Sequence, residues 1–138
     1  MAYNSFLNNF EDALLKLLQT NLILKQYNWQ QWDSDAQVEL PRGYIELGQR
    51  RDVEHAPLFE VIIKMTLEGK PKTAPISQAE YELETLMCDT ALCASLTALS
   101  DKVEFYGEAA EEVTVERRIQ GDLRKIIFTC KLYAGPTV

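Results

Sequence analysis

The chain is poor in the residues from which most catalytic and ligand-binding motifs are built. It has one histidine, His55, and no G-x-S-x-G, H-E-x-x-H or papain-like cysteine context accompanies it. The six glycines fall at 43, 48, 69, 107, 121 and 135, so no two are spaced to cradle a phosphate, and nucleotide binding of the usual kinds is not expected. Three cysteines, Cys88, Cys93 and Cys130, make an odd count at spacings that match no zinc or redox pattern. On one helix Cys88 and Cys93 would point about 140° apart and would not share a metal. They read as reduced, buried, small apolar residues of a cytosolic protein.

Long apolar runs are also missing. Val61-Ile62-Ile63 is typical of the longest, far below the ~20 residues that span a bilayer. Glu11 and Asp12 interrupt the region where a secretory signal would lie, so neither export nor a membrane role is expected. Clustered positive charge is equally scarce. The basic pairs are Arg50-Arg51, Arg117-Arg118 and Arg124-Lys125, each set among acids. Nucleic-acid binding gains its affinity by releasing counterions from phosphates, which needs such clusters, and is not expected.

What is present is an acidic, globular composition. The 138 residues carry 14 basic and 21 acidic side chains, a net charge of −7. The imbalance is spread evenly, with 6 basic and 10 acidic groups up to residue 69 and 8 and 11 beyond it. With 46% apolar and 25% charged residues, the chain is expected to fold as one domain over 1–138 and to stabilise its core without crosslinks.

Periodicity predicts an α+β domain, an antiparallel sheet of four to five strands with two helices packed on one face. Phe6, Phe10, Ala13, Leu14, Leu17 and Leu18 form one stripe of a helix over 5–19, capped by Asn4 or Ser5. Leu22 to Trp32 mixes apolar and amide residues and reads as a loop or irregular strand. Tyr44–Arg51 and Leu58–Leu67 read as a strand pair, followed by a linker, Gly69 to Pro75, in which Pro71 and Pro75 prevent a ladder or helix. Ser77-Gln78-Ala79-Glu80 has the form of a capping box that opens a second helix. Its apolar face would be Ala79, Leu83, Leu86, Met87, Thr90 and Ala91, continuing to about Ala94 or Leu99. Three strands, Lys102–Tyr106, Val113–Ile119 and Leu123–Tyr133, close the chain, the last two joined by a tight turn at Gly121.

No group of residues requires chemistry. His55 beside Asp52 and Glu54 lacks a nucleophile context and reads as a loop histidine. Asp33, Asp35 and Glu39 lack the glycine and fixed glutamate of a calcium loop. Glu80 and Glu84 share a helix face as solvated, dipole-compensating acids. No catalytic, cofactor or metal residue is therefore assigned. Two features suit recognition better. Tyr27, Trp29 and Trp32 concentrate aromatic surface, either as an interface anchor or as a cover for one end of the core. Glu108, Glu111 and Glu112 form an acidic run that reads as a projecting loop, either simply solvated or in contact with a basic partner.

The chain as a whole resembles the tail terminator (tail completion) family of long-tailed bacteriophages. The resemblance lies in NSFLNNFEDALLKLL, the pair GYIELGQR and FEVIIKMTLEG, the helix AEYELETLMCDTALCASLTALSD with its Leu99-Ser100-Asp101 exit, and the closing strand ending IIFTCKLYA. It implies a non-catalytic virion protein, made in the host cytoplasm and resident in the virion tail. Such a protein forms a hexameric ring on the tail tube, ends its polymerisation and presents a surface to the head-completion protein. Its expected partners are copies of itself, the tube protein and the head-completion protein. Another phage neck or connector protein, or a host cytosolic dimeric adaptor, are the alternatives, with a small enzyme acting through His55, Asp33 and Asp35 a more distant one.

Overall fold

A computed structural model describes residues 2–31, 39–52, 58–71 and 76–137, with side chains over 6–30, 39–48, 58–71 and 76–137. Helix α1 spans Ala2–Gln19, and the stripe expected of it is buried: Phe10, Ala13, Leu14 and Leu18 are fully enclosed. It begins earlier than its sequence suggests. Asn4 and Ser5 therefore lie inside its first turns and neither caps it.

After α1 the Asn21 side chain accepts hydrogen bonds from the backbone N–H groups of Ile23 and Leu24, both at 2.9 Å. This bond turns the chain into a short 3₁₀ segment, Leu24–Gln26, and on into strand β1, Asn28–Gln31. β1 pairs in parallel with β2, Arg42–Asp52, and the Asn28 N–H donates to the Pro41 carbonyl at 2.9 Å where the two meet. The segment expected to be irregular thus supplies an edge strand, and the sheet is mixed rather than wholly antiparallel.

β2 and β3, Phe59–Gly69, form the expected antiparallel pair, with a bulge between Leu47 and Arg50. Gly69 ends β3, Lys70 and Pro71 leave it, and the rest of the anticipated linker lies outside the described residues.

The second helical region is two helices. α2 spans Ile76–Met87 and α3 spans Leu92–Ala98. Between them the Asp89 carboxylate accepts from the Ala91 N–H at 2.9 Å, and the Asp89 carbonyl accepts from the Leu92 N–H at 3.0 Å. This local turn competes with the helical ladder and breaks it. Thr90 and Ala91, expected on the apolar face, are exposed as a result, whereas Ala79, Leu83 and Met87 are buried. Cys88 sits at the break and is exposed, contrary to expectation, while Cys93 and Cys130 are buried; all three are free thiols.

The three closing strands are two. β4 runs continuously over Val103–Gln120 and pairs with β5, Leu123–Pro136, in a hairpin whose turn holds Gly121 at φ 64°. Residues between the two expected strands are absorbed as bulges, so the acidic run is part of a strand and not a loop. The sheet order is β1-β2-β3-β5-β4.

Alternation decides which face is covered. Val61, Ile63, Met65 and Leu67 of β3 and Ile126, Phe128, Cys130 and Leu132 of β5 are buried and share one cluster with the helices. Burying a side chain of this size stabilises the fold by roughly 1.5–3 kcal/mol before entropy is subtracted. Phe6 meets Phe59 at 5.1 Å between ring centroids, and Phe10 meets Phe105 at 4.9 Å, which ties α1 to strands two places apart in the sheet. The opposite face is mostly polar, with Lys64, Thr66, Glu68, Thr129 and Lys131 on it beside Ile62 and Ile127. No helix among the described residues is long and apolar enough to cross a membrane.

Candidate functional site

Of the aromatic trio, Tyr27 is a core residue. It is 3% exposed, its hydroxyl has no hydrogen-bond partner among the described residues, and burial pushes its pKa up to about 12. Trp29 is half-buried; its indole N–H donates to the Leu24 carbonyl at 2.8 Å and its ring lies over Gly43. Trp32 lies outside the described residues, as do Asp33, Asp35 and His55. Glu39 is exposed and its carbonyl accepts from the Asn28 side-chain amide at 2.9 Å. Tyr27 is therefore part of the core, while Trp29 packs against it and keeps part of its ring at the surface. Among the described residues no group of three His, Cys, Asp or Glu side chains is gathered as metal ligands would be.

The surface that does gather chemistry is the edge strand β4. Its base is pinned by α3: the Thr97 hydroxyl accepts from the Phe105 N–H at 2.9 Å and donates to the Phe105 carbonyl at 3.4 Å, and the Cys93 thiol lies 3.5 Å from the Tyr106 carbonyl. Burial raises the Cys93 pKa, and nearby Glu111 adds to the effect. Two register breaks follow, between Tyr106 and Glu111 and between Glu111 and Thr114. They coincide with positive φ at Gly107, 100°, and at Glu112, 53°. Bulges of this kind turn side chains out of the ladder.

Glu108, Glu111 and Glu112 are all exposed there. Glu112 reaches Lys131 at 3.4 Å, and Lys131 also lies 3.7 Å from Glu60, which accepts from the Tyr133 hydroxyl at 3.3 Å. Tyr106, 43% exposed, donates its hydroxyl hydrogen to Glu104 at 3.0 Å, and that bond is the first cause of its raised pKa.

The far end of the hairpin is basic. Counting back from the Gly121 turn, Arg118 pairs with Lys125, Ile119 with Arg124 and Arg117 with Ile126. The two dibasic pairs, distant in sequence from any larger cluster, are thus brought side by side. Arg117 grips Glu80 of α2 with two bonds, 2.7 Å from Nε and 2.6 Å from Nη2. That fork raises the Arg117 pKa.

This overturns the capping box. α2 starts at Ile76, so Ser77 is a helical residue, and the Glu80 carboxylate is buried against a guanidinium instead of turning back to a backbone amide. Two charge-assisted bonds outweigh one bond to a neutral N–H. Glu80 is accordingly not a solvated acid, although Glu84 is exposed.

Beside this fork lies a cavity of about 240 Å³. Ile76, Ile119 and Ile126 line it together with Ser77, Glu80, Arg117, Arg118, Arg124 and Lys125. Arg117 is paired with Glu80, Arg118 with Glu116 and Lys125 with Glu68, so Arg124 is the cation there with no ion pair among the described residues. Ile119 is 70% exposed. The polar face of the sheet holds a further group, in which Glu68 of β3 is 4% exposed between Arg42 at 2.9 Å and Lys125 at 3.4 Å. Its hydrogen bond to Glu68 raises the Arg42 pKa. This cluster pairs its charges internally and acts as a brace across β2, β3 and β5.

The sequence matches no protein-family model and no curated protein. Tyr106 and Ile119 carry no signal in the sequence because each looks ordinary alone, and Arg118 and Arg124 read there only as members of isolated basic pairs set among acids. The mirrored spacing of two dibasic pairs about Gly121 was the signal that places them opposite each other.

Proposed function

We propose that the chain is a structural virion protein of a phage or prophage. In this reading it forms a hexameric ring that caps the tail tube, ends tube polymerisation and makes the head-tail joining surface. The observation that carries it is the open flank of β4, an 18-residue strand at the edge of the sheet. An edge of that length templates further pairing unless it is blocked. Here charge and two bulges disfavour strand addition, while the side chains they turn outward remain available for contacts of another kind.

The order of a helix, a strand pair, a helical region and a closing hairpin also agrees with the order that the tail terminator resemblance implies. In a ring, one contact repeated about an axis closes at a fixed subunit number. Stacking that ring on the last tube layer removes the surface on which the next layer grows. Acidic side chains facing the lumen would keep a passing genome from adhering.

Sedimentation velocity and negative-stain microscopy of the purified protein test the reading. Annular particles of fixed mass are expected, and so is arrest of tube growth when the protein is added to polymerising tube subunits. A strictly monomeric species at high concentration would count decisively against it.

A further inference from the structure

We infer that copies of this chain join head to tail through β4, the basic cavity at Ile119 of one copy receiving the acidic segment at Tyr106–Glu108 of the next. This rests on reading the chain as self-assembling and names the surface that does it. Residues 101–112 carry Asp101, Glu104, Glu108, Glu111 and Glu112 against Lys102 alone, whereas 117–125 carry Arg117, Arg118, Arg124 and Lys125 against Asp122.

Each patch has an exposed apolar residue in it, Tyr106 in the first and Ile119 in the second. Each also holds a charge with no ion pair among the described residues, Glu108 and Arg124, the latter bonded only to the Gly121 carbonyl at 3.1 Å. A cavity lined by isoleucines, with Arg124 unpaired at it, is chemically suited to an apolar side chain flanked by a carboxylate.

Tyr106 and Ile119 lie on the same strand, thirteen residues apart, or at most ~45 Å at the rise of an extended strand. One molecule does not bring them together. Like charges disfavour tip-to-tip and base-to-base contacts, which leaves tip against base; copies can meet that way as an antiparallel two-fold pair or as a head-to-tail series, and the ring reading selects the series, a discrete dimer in sedimentation being the result that overturns it. A heterologous contact is the kind that builds rings or filaments. The second copy is favoured over an unrelated partner because both complementary halves are present on one chain.

A charge swap tests this. Arg124→Glu and Glu108→Arg should each weaken self-association at least tenfold by sedimentation, with circular dichroism unchanged. The double variant Glu108→Arg/Arg124→Glu, in which the pair is reversed, should recover to within about threefold of the parent. Ile119→Ser, at an exposed position that folding does not need, should weaken association without altering charge.

Rings that persist unchanged in both single variants would overturn this contact and leave the ring reading standing. Open filaments that the single variants dissolve and the double variant restores would support the contact and sink the ring. Loss of tube binding with self-association intact would overturn the contact, and a monomeric parent protein would remove both ideas.

Discussion

Gly43 has room for a hydrogen and nothing larger: a Cβ built there would lie 2.6 Å from Cε3 of Trp29 and 2.8 Å from Cδ2. The ring is itself held by its N–H bond to Leu24, so it does not swing away cheaply. This one contact joins β2, β1 and the 3₁₀ segment. Gly43→Ala should therefore lower the unfolding free energy by about 1–3 kcal/mol, the usual cost of overpacking. Urea denaturation followed by tryptophan fluorescence measures it. A variant as stable as the parent would mean that the indole yields freely. From the sequence Trp29 reads either as an interface anchor or as a cover for one end of the core, because aromatics concentrate there among Asn and Gln. Its role depends on a glycine fourteen positions away, a relation that local pattern does not contain.

The β4–β5 hairpin was half legible in the same way. Gly121 between two alternating stretches signals a tight turn, and the turn is there. The continuity of β4 through Gly107 and Glu112 was not legible, because bulges break the two-residue period by which strands are recognised. A Cβ at Gly121 would meet nothing within 4 Å, so any substitution cost there is conformational and not steric. Gly121→Asn should be mild, Gly121→Ala should cost about 1–2 kcal/mol, and Gly121→Val more, following the penalty for a left-handed backbone. Thermal unfolding of the three variants checks the order. Equal midpoints would show that the turn relaxes to another form. The break between α2 and α3 belongs with these cases: the apolar spacing continues to about Ala94 or Leu99, and the turn that the Asp89 carboxylate and carbonyl make with the Ala91 and Leu92 N–H groups interrupts the helix.

Taken together, the core carries groups that are comfortable only when neutral. Burial pushes the Cys130 thiol from 9.0 up to about 12 and the Tyr27 hydroxyl from 10.0 up to about 12. Well below pH 9 both are protonated in the folded and unfolded states and stability does not depend on them. Above it the unfolded chain releases protons that the folded chain keeps, so stability falls as pH rises, by about 1.4 kcal/mol per pH unit for each group between its two values. Urea midpoints measured from pH 8 to pH 11 should decline. The decline above pH 10 should be shallower in Tyr27→Phe, which also removes a buried hydroxyl that lacks a partner. A flat profile would show that neither group is sealed from water.

The amphipathic stripe of α1, the alternation in β3 and β5 and the turn at Gly121 are set by short-range order along the chain, since each needs only residues within a few positions of one another. Those periods were sufficient for the α+β class and for most of the buried residues. Partners across long separations were settled in three dimensions: Glu80 with Arg117, Trp29 with Gly43, Arg118 with Lys125, and β1 beside β2. A side chain's charge or ring is written in the sequence, but whether water, a guanidinium or a second strand meets it depends on packing that brings distant segments within a few ångströms.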